Sequence, residues 1–197
     1  MSGPKTLSGG QDSAEKSRIW CNNAEFALFK GTTSLNRLSQ HPYLAVPWQI
    51  LATDLFELKG ADYLIVINYF SRYVEVAAMQ ETTKSSEVIR ALKSIFARHG
   101  IPEQVRSDNG PKFDSAEFSY FAKEWGFKQS TSSPRFPQAN GEVERGVRTV
   151  KNLLTKEKDP AKALLAYRST PLACKFSPAQ LLMGRRIRNS IPLFHTS

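Results

Sequence analysis

From Trp48 to Leu58 apolar residues fall on both parities of an extended chain: Trp48, Ile50, Ala52, Phe56 and Leu58 on one, Leu51 and Leu55 on the other. A segment apolar on both sides predicts a central strand covered on both faces. Lys59-Gly60 supplies a turn. Leu64 to Ile67 and Tyr73 to Ala78 read as two more strands, and the short links predict an antiparallel meander. From Thr83 the period changes. Val88, Ala91, Leu92, Ile95 and Phe96 follow the spacing of an amphipathic helix, with Thr83 as its N-cap and Gly100-Ile101-Pro102 as its stop.

Gln104 to Ser107 predicts a fourth strand, ending on Asp108. Asp114 and Glu117 have capping-box spacing and open a helix whose inner face is Phe118, Phe121, Ala122 and Trp125, closed by Gly126. Phe127 to Thr131 is a fifth strand. Two prolines, Pro134 and Pro137, mark a loop before a long helix from about Gln138 to Lys156, with Val143, Val147, Val150 and Leu154 as its buried stripe. Asp159-Pro160 and Ser177-Pro178 each open a further helix, because proline suits the first helical position. Gly184 ends the last one, ahead of a basic run at Arg185, Arg186 and Arg188. Three strands, helix, strand, helix, strand, then helices is an α/β order: a mixed five-stranded sheet with helices on both faces. Residues 1–44 carry no sustained period and read as a flexible or degenerate arm; the domain proper spans 45–197.

Charge narrows the class of partner. The chain carries 27 Lys and Arg against 18 Asp and Glu, a net of +9. Residues 140–197 hold eleven of the cations and four of the acids, a net of +7, so the positive charge is concentrated in the C-terminal part. Such a surface attracts polyanions and favours nucleic acid over acidic substrates. Cys21 and Cys174 form no CxxC pair and read as reduced thiols of an intracellular protein. No run approaches the roughly 18 apolar residues of a membrane helix, so no membrane partner is expected.

Three acids stand out against this frame. Asp54 lies on an apolar parity of a central strand, where a carboxylate is costly unless paired or metal-bound. Asp108 ends the fourth strand just before a turn, and Glu144 lies in the first turns of the long helix, with 35 residues between the two. Each of the last two also has an ordinary reading. Asp108-Asn109-Gly110 is common turn chemistry, and Glu144 is placed to pair with Arg148 at i+4. Asp62, Glu75, Glu117 and Glu142 are competing acids that read as exposed or capping. The case for a site rests on the combination. Three carboxylates on rigid elements suit hard divalent cations, and phosphoryl transfer needs such charge neutralisation and alignment. Only three histidines are present, none in a ligand pattern, so a zinc site has no support.

The combination resembles the D,D-35-E signature of retroviral and retrotransposon integrases. Neighbouring words match too: Pro47-Trp48-Gln49, Tyr69 to Val76, Ser107-Asp108-Asn109-Gly110, Ser133-Pro134, Pro137 to Gly141, and Val143-Glu144-Arg145. Tyr167 to Pro171 and Ser177 to Arg185 look like the tail of Ty3/gypsy-type integrases. The resemblance covers about 44 to 193 and implies a ribonuclease-H-like fold. It also implies Asp54, Asp108 and Glu144 as catalytic metal ligands for Mg²⁺ or Mn²⁺, two ions being expected with DNA bound. Two reactions follow from it: trimming of the element's 3′ ends and joining of those ends to target DNA. Asn140, Arg148 and Lys151 match positions where family members contact DNA. The partners implied are element ends, target DNA and further copies of the chain, with nuclear action.

The likeness has departures. The family's N-terminal zinc module lacks its cysteine and histidine pairs here, the small β-barrel that usually follows is not seen, and Asn68 stands where relatives often carry Asp. These departures keep a second expectation open: a catalytically silent, nucleic-acid-binding remnant of such an integrase, of the kind a host can co-opt.

Overall fold

The computed structural model describes residues 46–79, 84–108, 110–131 and 137–189, the side chains of 131–143 excepted. Residues 1–44, expected as an arm, lie outside the described residues. The elements are β1 (Ile50–Leu58), β2 (Ala61–Asn68), β3 (Val74–Ala78), α1 (Ser85–His99), β4 (Gln104–Ser107), α2 (Ala116–Trp125), β5 (Lys128–Thr131), α3 (Pro137–Lys156), α4 (Pro160–Ser169) and α5 (Pro178–Met183).

The strands form one sheet in the order β3-β2-β1-β4-β5. β1, β2 and β3 are an antiparallel meander, while β4 pairs parallel with β1 and β5 parallel with β4. Crossover helices α1 and α2 connect the parallel members, as parallel pairing requires. β1 is therefore central, and its two parities face two separate cores. Leu51 joins Leu64, Val66, Val105 and the inner faces of α1 and α2. Ala52, Phe56 and Leu58 instead pack toward Ile65, Ile67 and Val74, beneath Val150 and Leu154 of α3 and Ala163 of α4. The first core is rich in aromatic rings. Phe121 meets Phe118 and Phe127 edge-on at centroid distances of 5.9 and 5.1 Å, an arrangement that adds to plain area burial.

Several expected details shift. Trp48 does not extend β1: it sits at φ 65°, off the strand, with its ring buried. The indole Nε1–H donates to the Gly100 carbonyl at 2.8 Å, so the entry to the sheet is tied to the end of α1. Thr83 lies outside the described residues, and α1 is capped instead by Lys84, whose side chain makes no capping bond. What holds α1 is burial, with Val88, Leu92, Ile95 and Phe96 essentially inaccessible, each contributing about 1.5–3 kcal/mol. The cap of α2 is Ser115, not Asp114. Ser115 Oγ accepts from the Phe118 amide at 3.1 Å, while the Asp114 amide is already turned back to the Gly110 carbonyl at 2.9 Å. Gly126 and Gly184 close α2 and α5 in the left-handed conformation expected of them.

Glu75 differs most from expectation. It is buried, at 9% exposure, not on the surface. The period of β3 turns it under α1 and α4, where a histidine and two arginines surround it. His99 Nε2 lies 2.7 Å from Oε1, and Arg168 and Arg98 reach Oε2 at 3.1 and 3.4 Å. Arg168 also donates from Nε to the Val74 carbonyl and lies over the Tyr73 ring at 4.7 Å. Burial pushes the Glu75 carboxyl up, but the His99 hydrogen bond and the Arg168 and Arg98 charges outweigh it and hold the group below its ordinary value.

Candidate active site

Asp54 is brought to Asp108 by the parallel pairing of β1 with β4. Ala52 stands opposite Arg106; carrying that register two residues further sets Asp54 beside Asp108, on the same side of the sheet. Asp54 is not deeply buried, its side chain being 42% exposed. The burial cost expected for it is therefore moderate, because the strand leaves its cover at this point.

Asp108 hangs in a short turn. Its Oδ1 accepts the Gly110 amide at 3.1 Å. A β-carbon at position 110 would stand 3.0 Å from Oδ1 and 3.3 Å from Oδ2, so any larger residue there would press the carboxylate aside by a few tenths of an ångström.

Glu144 arrives on α3, which lies close on the sheet because position 146 is glycine. A β-carbon there would meet Ile67 Cδ1 at 2.8 Å and the Tyr167 hydroxyl at 3.3 Å. Burial pushes that Tyr167 phenol up to about 12, so it stays neutral in its contact. Val150 and Leu154 of the expected stripe are buried and Val147 is half-buried; the side chain of Val143 lies outside the described residues. The packing turns the neighbouring face of α3 toward the sheet end. Glu144, exposed, makes no side-chain bond to another described residue, and the expected partnership with Arg148 is not formed among them.

The three acids line one open cleft of about 400 Å³, together with Ala52, Thr53, Tyr69, Arg106, Ser107, Val147, Arg148 and Lys151. Lys151 spans it: its Nζ lies 2.9 Å from Asp54 Oδ2 and 5.1 Å from the centre of the Phe56 ring. Asp54 Oδ1 accepts the Leu55 amide at 2.9 Å. Both Asp54 oxygens are thus engaged, one of them by an ammonium. Among the described residues no three His, Cys, Asp or Glu side chains stand close enough to form a preassembled metal cage. The donor set still fits a hard dication. Mg²⁺ characteristically takes one or two carboxylates and completes its shell with water and substrate phosphate, and Lys151 shows that Asp54 already accepts a positive group on its cleft side. The side chain of Asn140 lies outside the described residues.

Arg106 and Tyr69 were not anticipated as cleft residues. The signal for Arg106 was present: it lies two residues before Asp108, hence on the same side of β4. Tyr69 follows β2 and reaches the cleft through a turn that the pattern of apolar residues does not describe. Thr53 Oγ1 and Ser107 Oγ, each next in sequence to a site acid, are buried without a hydrogen-bond partner among the described residues.

Comparison with known proteins agrees with this geometry. The integrase core domain family model matches residues 46–137. The Pol polyprotein of feline endogenous virus ECE1 is 34% identical over 154 residues, 71% of this chain; the chain spans 14% of that polyprotein's length. The catalytic core domain of BIV integrase superposes with a TM-score of 0.62 at 20% identity, over 70% of this chain and 95% of that one. The HTLV-2 integrase catalytic core domain, solved in complex with magnesium in a dimeric form, gives a TM-score of 0.56 at 26% identity, over 70% of this chain and 97% of that one. Fold, motif spacing and relatives coincide on one conclusion: the chain belongs to the family of retroviral and retrotransposon integrase catalytic cores.

Proposed function

We propose that this core carries out metal-dependent polynucleotidyl transfer on DNA, trimming the 3′ ends of an element and joining them to a target. The observation that carries the reading is the convergence of Asp54, Asp108 and Glu144, from β1, the end of β4 and α3, on one open cleft walled by Arg148 and Lys151. When bound, Mg²⁺ or Mn²⁺ supplies charge neutralisation and alignment of the reacting oxygens. The three carboxylates would hold the ions, and the turn at Gly110 sets the direction of Asp108. Arg148 and Lys151 follow Glu144 by one and two helical turns, so a DNA strand lying along α3 is held by its phosphates while one phosphate rests at the acids. Asn140, on the same helix, is a third DNA contact. In trimming, water oxygen bonds to phosphorus as the bond to the departing 3′ oxygen breaks; in joining, the freed 3′ hydroxyl attacks a target phosphate and the target strand's own 3′ oxygen departs. Lys151 pairs with Asp54 Oδ2, so a metal ion held at Asp54 would displace the ammonium and leave Lys151 to meet phosphate. On this reading the chain works as a homo-oligomer on nuclear DNA.

Glu144→Gln tests the reading on short duplexes carrying element ends, in Mn²⁺. Strand cleavage and joining should fall by at least a hundredfold while affinity stays within about twofold, since a metal ligand is lost and the cationic face is kept. Arg148→Ala with Lys151→Ala should instead weaken binding to all sequences and lower the salt slope by about one unit per lost phosphate contact. If the unsubstituted chain binds DNA as Glu144→Gln does and neither cuts nor joins it, the chain is a DNA-binding remnant and the catalytic reading fails.

A further inference from the structure

We infer that Arg106, seated on the ring of Tyr69, is a phosphate-binding residue of the cleft, gripping DNA from the sheet side opposite the cations of α3. The inference rests on the DNA-transfer reading above and adds a contact to it.

Arg106 is half-buried, on the same side of β4 as Asp108 and two residues before it, about 6.6 Å along the strand. Both it and Tyr69 line the cleft. Its guanidinium carbon lies 4.8 Å from the centre of the Tyr69 ring. Its one hydrogen bond to another described residue is long, from Nη2 to Gln104 Oε1 at 3.4 Å. No carboxylate of the described residues pairs with it, although Asp54 and Asp108 share its cleft. An arginine has five N–H donors in a plane. Stacking occupies one face of that plane and leaves the edge donors free for a bidentate acceptor such as a phosphate.

The platform beneath it is rigid. The Tyr69 amide donates to the Ile50 carbonyl at 3.0 Å. The Asn68 side chain, fully buried, donates from Nδ2 to the same carbonyl and accepts at Oδ1 from the Ser71 amide and hydroxyl, both at 2.8 Å. A carboxylate at 68 has no donor for Ile50, which gives Asn a specific use at this position. Gln104 is held in turn, its Nε2 donating to Ser130 Oγ at 2.7 Å. A cation so placed serves poorly as a structural ion-pair partner and well as a receiver for an incoming anion. With Arg148 and Lys151 across the cleft, it would clamp the strand from two sides.

The test is a single-phosphate neutralisation series. Element-end and target duplexes each carry one neutral methylphosphonate, stepped through the positions flanking the reacting phosphate, and are titrated with the full chain in Mn²⁺. The unsubstituted chain should lose roughly tenfold in affinity at one flanking position, as expected for a charge-assisted hydrogen bond. Arg106→Gln should show that loss on unmodified DNA and none further at that position, with a salt slope lower by about one unit. The strand carrying the sensitive position tells element end from target. Tyr69→Ala, which removes the platform but keeps the cation, should blunt the same position and serves if Arg106→Gln does not fold. If Arg106→Gln keeps the full methylphosphonate profile of the unsubstituted chain while Arg148→Ala and Lys151→Ala lose affinity, this inference falls and the DNA-transfer reading stands. If the unsubstituted chain binds neither duplex, both fall.

Discussion

Two clusters of acidic and basic side chains sit on the two sides of the meander. Around Glu75 one buried carboxylate meets His99, Arg98 and Arg168, and each oxygen has a partner within the chain. In the cleft three carboxylates share one ammonium, Lys151 on Asp54, and Glu144 makes no bond to a described residue. The first arrangement is closed: it ties β3 to α1 and α4 and leaves little for a ligand to engage. The second is open, with acceptor capacity facing solvent in a cleft that also holds Arg106 and Arg148. Carboxylates held on rigid elements with oxygens facing solvent keep acceptor capacity that a hard cation from outside can use. The contrast separates structural acids from those that await a ligand better than sequence position does.

The largest expected effect is on the closed cluster. Glu75→Gln leaves Arg168, mostly buried, without its counter-charge, while Arg98 is half exposed. Breaking a fully buried pair costs about 3–5 kcal/mol, the upper bound here because water screens Arg98. Urea unfolding should show it, whereas Asp54→Asn should change stability by less than about 1 kcal/mol because its pair is about half exposed and screened by water. Equal losses in the two variants would erase the distinction drawn here.

The acid limb of stability comes next. Glu75 is held below its ordinary value of 4.5, so the native state binds fewer protons than the unfolded chain as pH falls past that value. Its stabilisation is fully present above pH 4.5 and is lost as pH drops through the lowered native value. Thermal midpoints below pH 4.5 should therefore fall more steeply in the unsubstituted chain than in Glu75→Gln. Parallel limbs would place the acid sensitivity elsewhere.

A smaller effect sharpens the open side. Lys151 and a dication compete for Asp54 Oδ2, so Lys151→Ala should raise the thermal shift produced by Mn²⁺, with an affinity gain of about two- to fivefold, the scale of a half-exposed ion pair. Asp54→Asn should abolish the shift. A Lys151→Ala chain that responds to Mn²⁺ less than the parent would show that the ammonium supports metal binding instead of opposing it.

Much of this molecule was legible in the order of its residues. Apolar parity placed β1 at the centre, since a strand covered on both faces must alternate between two cores. Helical spacing found α1 and α3, and glycine and proline marked their ends because those residues change what the backbone can do. The spacing of Asp54, Asp108 and Glu144 named the acids of the cleft. Local pattern could not place a side chain whose environment comes from distant segments. Glu75 follows the polar alternation of a surface strand, yet α1 and α4 close over it, 23 and 93 residues away along the chain. Lys151 reads as a free cation on a helix face until α3 docks and sets it on Asp54, 97 residues distant. Arg106 and Tyr69 meet only because β1 draws β4 to one side of it and β2 to the other. Backbone propensity and periodicity act over a few residues and are written in the sequence directly, whereas charge pairing depends on distances between segments, which only the packed sheet and its helices define.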